Sequence, residues 1–96
     1  MNVEFLQVAE TEFSDAIKFY NTEREDLGFE FVYEIKQAIN RIVQFPDAWQ
    51  KLSKRTRRCR TNKFPYGVIY RSNDNFILIV AIMHLHKEPS SWKNRV

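Results

Sequence analysis

Ninety-six residues make one domain's worth of chain, since folded units run to about 100–150 residues before they divide. A hydrophobic content of 44% and an aromatic content of 15%, with two Gly and three Pro, exclude a disordered chain, and so short a chain disfavours enzymes built round a large enclosed cofactor. The net charge of +3 conceals a steep division, four bases against ten acids in residues 1–48 and eleven against two in residues 49–96, which predicts an acidic face and a basic face open to polyanions or an acidic partner.

Val3, Phe5 and Gln7 alternate with Asn2, Glu4 and Leu6, the period of a short strand whose direction in a sheet is left open. From Ala9 the period becomes helical: Ala9, Phe13, Ala16, Ile17 and Tyr20 share a stripe, and Glu10, Glu12, Asp15, Lys18 and Glu23 fill the polar side. Phe19 falls off the stripe and is a candidate exposed aromatic. Leu27-Gly28 reads as the turn that ends this helix, with Gly28 at positive φ. A second helix buries Phe31, Ile35, Ala38, Ile39 and Ile42, turns Glu30, Glu34, Gln37, Arg41 and Gln44 outward, and stops at Pro46.

Lys54 to Thr61, Phe64 to Ser72 and Asn75 to His84 read as three strands joined by links short enough for an antiparallel meander. The last is apolar on both faces from Phe76 to Met83 and belongs inside the sheet with helices over one face. The first is charged on both faces and belongs toward an edge, with solvent or a ligand beside it. Lys51 to Lys63 holds seven bases in thirteen residues, either a contact surface for phosphates or an acidic partner, or a solvated edge.

The longest apolar run is eight residues, against about 20 for a membrane-spanning helix, and Met1-Asn2-Val3-Glu4-Phe5 lacks the pattern of a secretory signal. A cytoplasmic protein with no membrane contact is expected. The single Cys59 permits no internal disulfide and suits a half-buried strand position. His84 and His86 have metal-ligand spacing but no obvious third ligand, so neither a metal nor a cofactor is expected. Trp49 and Trp92 fall outside regular elements, where an aromatic either packs back on the core or stands ready for contact.

The order strand, helix, helix, strand, strand, strand, together with Arg57-Arg58, Phe64-Pro65-Tyr66, Tyr70 and His84 with Pro89 and Trp92 beyond, resembles the RelE/ParE superfamily of bacterial type II toxins. Ala9 to Tyr20, Gly28, Phe31 and the helix ending at Pro46 with Trp49 after it resemble its plasmid-stabilisation branch. The resemblance implies an α+β fold, with the N-terminal strand and a helical hairpin packed on a small, mainly antiparallel sheet. It also implies a toxin neutralised by a protein antitoxin, in a hetero-oligomer with it, and directed either at DNA gyrase or at messenger RNA on the ribosome.

RelE-like nucleases carry an arginine directly after the aromatic matched by Tyr66, and the residue here is Gly67. Their His-x-Arg-Arg-x-Pro stretch corresponds to His84-Leu85-His86-Lys87-Glu88-Pro89, which lacks both arginines. These departures favour the ParE-like, gyrase-directed branch. The alternative is an endoribonuclease with His84, His86 and Glu88 moving protons beside Lys87 and Arg71. The antitoxin is expected in a basic groove on the sheet face opposite the helices. Arg57, Arg58, Arg60, Lys63, Tyr70, Phe19 and Trp92 are the candidate contacts with target or antitoxin.

Overall fold

The computed structural model describes residues 1–87 and 90–95. Strand β1 (Asn2–Phe5) passes through Leu6 into helix α1 (Gln7–Glu23), which is followed by α2 (Leu27–Gln44). The predicted stripes face inward. Ala9 and Ala16 of α1 and Phe31, Ile35, Ala38 and Ile42 of α2 are buried, and Phe13, Ile17, Tyr20 and Ile39 pack against them.

The turn between the helices differs from expectation. Asp26, not Gly28, takes the left-handed conformation, with φ 68°, a region that aspartate enters more readily than most non-glycine residues. Gly28 stands inside the first turn of α2 and is needed for close approach. A Cβ there would lie 2.5 Å from Oδ1 of Asn21, the atom that accepts the Gly28 N–H at 2.8 Å.

Strands β2 (Gln50–Lys51), β3 (Arg57–Arg60), β4 (Tyr66–Ser72) and β5 (Phe76–His84) follow, giving a five-stranded sheet of order β1-β5-β4-β3-β2. β2 to β5 form the antiparallel meander. β1 joins β5 in parallel, from Asn2 opposite Phe76 to Phe5 opposite Ile79. β5 has a strand on each side, as its apolar faces require, and β4 holds the middle place. β3 is shorter than predicted because residues 53–56 form a turn, in which Ser53 Oγ accepts the N–H groups of Arg55 and Thr56. It also lies one place in from the edge, since β2 covers it.

The helices pack on one face of the sheet over Cys59, Val68, Tyr70, Ile77, Ile79 and Ile82. The opposite face is not the open groove expected. Ile69, Val80, Ala81 and Met83 are covered there by Trp92, carried on the short helix α3 (Ser90–Lys93), with Leu52 and Leu78 alongside. Among the described residues no helix is long and apolar enough to cross a membrane.

Pairing between β4 and β5 steps from Ile69 opposite Ala81 to Tyr70 opposite Ile79, so Val80 is an extra residue, a β-bulge. β1 ends here as well, and two side chains take its place along β5. Glu12 Oε1 accepts the Ile82 N–H at 3.1 Å, and Arg95 Nη1 donates to the Val80 carbonyl at 3.1 Å. Arg95 also grips Glu12 with two bonds of 2.9 Å. Glu12 therefore leaves the polar side of α1 assigned to it from periodicity. Glu34, read as outward-facing, is likewise buried, its carboxylate accepting the Asn62 N–H at 3.2 Å.

Candidate functional site

Tyr66 opens β4 and His84 closes β5, and the antiparallel register sets them opposite each other. The His84 ring meets Tyr66 edge-on, with centroids 5.5 Å apart, and Tyr66 rests in turn on Phe31 and Tyr20. The chain turns at Leu85, so His86 does not extend the strand. It is exposed, with its ring 5.2 Å from that of His84 and its N–H donated to His84 Nδ1 at 3.2 Å. No group of three His, Cys, Asp or Glu side chains placed to hold a metal occurs among the described residues.

Two cavities share this end of the sheet. One, of about 330 Å³, runs between α1 and β5 and is lined by Glu12, Asp15, Phe19, Tyr66, His84 and Lys87. The other, of about 190 Å³, opens on the face away from the helices between Arg58, His84, Lys87 and Lys93, with Leu52 and Trp92 as its apolar wall. A histidine and three cations thus converge, a set able to hold an anion and to exchange a proton.

Arg58 reaches this cavity across Gly67. A Cβ on Gly67 would stand 2.7 Å from Cδ and 2.8 Å from Cγ of Arg58, so the arginine stem fills the space a side chain at position 67 would need. Its Nη2 donates to Gln50 Oε1 at 2.8 Å, and its Nε is buried without a hydrogen-bond partner among the described residues. Burial, and then the charge of Arg60, lower its pKa.

The remaining predicted residues are dispersed. Arg71 pairs with Leu78, five residues or about 16 Å along β4 from Tyr66, and stands apart from the histidines it was grouped with. Arg57 lies near it, its Nη1 donated to the Trp49 carbonyl at 3.0 Å. Arg60 is exposed, and Lys63 approaches Glu30 at 3.7 Å. The run from Lys51 to Lys63 is therefore no continuous surface, because alternation along β3 sends Arg57 and Arg58 to opposite faces. Tyr70 and Trp92, expected as contacts, are 1% and 3% exposed and belong to the two cores. Glu88 lies outside the described residues. Phe19 is 54% exposed, as its place off the stripe implies.

Residues 3–89 match the family model described as the ParE toxin of the type II toxin-antitoxin system parDE. The chain belongs to the ParE toxin family. Among solved structures, the chromosomal ParDE toxin-antitoxin system from P. aeruginosa is similar to this ParE-family chain with a TM-score of 0.75 at 14% identity, over 88% of this chain and 95% of that one. At that identity the likeness concerns the fold. The search of curated proteins found no match.

Two features of the ParE-family toxin were missed in the sequence. Phe29 and Tyr33 are 74% and 60% exposed on α2; their spacing of four residues, off the buried stripe, was a legible signal of a paired apolar patch. Lys93 completes the smaller cavity, although nothing in its neighbourhood announced it.

Tyr70 supplies a pH prediction. Its hydroxyl donates to the Pro46 carbonyl, and burial pushes its pKa from 10.0 to about 12. A folded-state pKa raised above the unfolded value keeps its stabilisation below the unfolded pKa and loses it as pH rises through the folded one. The Tyr70 contribution is expected to hold to about pH 10 and to fall by roughly 2–3 kcal/mol on approach to pH 12, on top of losses from the buried Cys59 thiol and from Tyr20 and Tyr66, whose pKa values are also raised. Urea midpoints across this range test it. Tyr70→Phe, although less stable at neutral pH, should show a shallower decline, and an equally steep one would remove Tyr70 as the cause.

Proposed function

We propose that this toxin inhibits DNA gyrase and is held inactive by a protein antitoxin. Family membership supports the toxin role, and the surroundings of Gly67 carry the choice of target. Cleavage of messenger RNA through its 2′-hydroxyl needs cations fixed about the phosphorane. The position where a RelE-like nuclease carries an arginine is here a glycine whose open side is filled by the stem of Arg58.

The second reading, an endoribonuclease, is favoured by one observation, the convergence of His84, Arg58, Lys87 and Lys93 on one cavity. Both are tested with one preparation. Purified toxin added to gyrase and relaxed plasmid is expected to stop supercoiling or to trap cleaved DNA, and added to a translation extract to leave messenger RNA intact. The variant His84→Ala with His86→Ala should inhibit gyrase as well as the parent does. Active gyrase beside newly cut messenger RNA, with cutting lost in the double variant, would establish the second reading.

A further inference from the structure

At the end of the sheet away from His84, Lys51, Lys54, Arg55, Arg57 and Arg71 line one cavity of about 290 Å³. Asp47 is the carboxylate that faces them, so five positive charges meet one negative charge. The ion pairs among the described residues are Arg24–Glu30, Lys63–Glu30 and Arg95–Glu12, and none involves these five. A lysine or two suffices to protect a sheet edge. Five cations drawn into one hollow repel one another and call for an anion.

The hollow is also preformed. Ser53 Oγ and Thr56 Oγ1 share a hydrogen bond of 2.6 Å, and the N–H groups of Leu52 and Ser53 both donate to the Thr56 carbonyl, at 2.9 and 3.3 Å. Thr56 is 1% exposed, so Lys54 and Arg55 ride on a turn fixed by its own bonds, and the bond from Arg57 to the Trp49 carbonyl fixes a third cation. Binding an anion then costs little further ordering. Among the described residues the one aromatic in the lining, Tyr70, is buried and offers no platform for a stacked base, which single-stranded nucleic acids usually require.

We propose that this cavity binds the phosphodiester backbone of duplex DNA, without reading sequence, and so holds the toxin on the DNA that gyrase engages. The source of the DNA rests on the gyrase reading above; the chemistry of the cavity does not. Guanidinium forks and ammonium groups suit phosphate oxygens, and each phosphate neutralised releases condensed counterions, which makes the affinity salt-dependent.

The test is fluorescence anisotropy of a labelled DNA duplex with the intact toxin at increasing salt, beside the variant Lys54→Gln/Arg55→Gln/Arg71→Gln and a control, Lys18→Gln/Lys36→Gln, on the helices. The toxin and the control should bind alike. The triple variant should melt like the parent but lose at least about tenfold in affinity, with the slope of log affinity against log salt reduced by about three. No binding at low salt, equal binding by the triple variant, or tighter binding of polyglutamate or of single-stranded RNA of equal length would each overturn the proposal. Supercoiling assays separate the two claims. If the triple variant inhibits gyrase as well as the parent despite losing DNA, the gyrase reading stands and the cavity's role there is refuted. If the parent fails to inhibit gyrase yet binds duplex through the three cations, the cavity stands and the gyrase reading falls.

Discussion

Phe31→Ala is expected to lower the unfolding free energy by about 4 kcal/mol. Phe31 is fully buried, and its ring lies 5.0 to 6.0 Å from those of Phe13, Tyr20, Phe64 and Tyr66. From α2 it touches aromatics of α1, of the β3–β4 turn and of β4 together. Truncation forfeits the transfer free energy of the ring and its aromatic pairs, and it leaves a hole that neighbours anchored in three elements cannot close. For a domain of this size the melting temperature should fall by about 20 °C. Phe31→Leu, which keeps most of the volume, should cost about 1–2 kcal/mol. Phe29→Ala, two residues away and exposed, should stay within about 0.5 kcal/mol. Urea unfolding followed by circular dichroism ranks the three, and a Phe29 loss comparable to that of Phe31 would contradict the packing described.

Glu12→Ala is expected to cost about 3 kcal/mol. The Glu12–Arg95 pair is partly sheltered, with side-chain exposures of 17% and 16%, and each member also serves the backbone of β5. Removing the carboxylate strands a guanidinium in low-dielectric surroundings and leaves the Ile82 N–H unmatched, which is why breaking such a pair costs more than the pair itself contributes. Arg95→Ala should cost less, about 2 kcal/mol, because the remaining carboxylate keeps the Ile82 bond. The double variant should fall short of the sum of the two losses. Strict additivity in a double-mutant cycle would show that the residues act independently and that the clamp has no energetic reality.

Periodicity made both helices and β5 legible, since burial on a stripe or on two faces is written directly into residue spacing. β2 was invisible because Gln50 and Lys51 are too few and too polar to carry a pattern. The start of β3 was misplaced because Ser53 and Thr56 close a turn with their side chains, an interaction that competes with the ladder. Glu12 and Glu34 looked solvated because their partners lie 70 and 28 residues away in sequence, and no local rule connects such distances. The same limit hid the parallel direction of β1.

For the site, His84 could be placed at the end of the last strand from the sequence. Treating Arg57, Arg58 and Arg60 as one surface overlooked the period of two that parts Arg58 from Arg57. Tyr70 was offered as a contact because the helices that cover it come from elsewhere in the chain, whereas Trp92, read either as a contact or as packed back on the core, takes the second course.

The parallel edge also bears on the order in which the chain folds. Of the five strands described, β1 comes first in the chain and finds its partner only across the interval from Asn2 to Phe76. Both helices and the meander have nearer partners in the chain, whereas the β1–β5 ladder closes a loop spanning most of the domain and is the slowest to gain from its contacts. During synthesis β1 therefore stays unpaired until β5 has emerged, and the five-stranded sheet is complete only once that last of its strands is made.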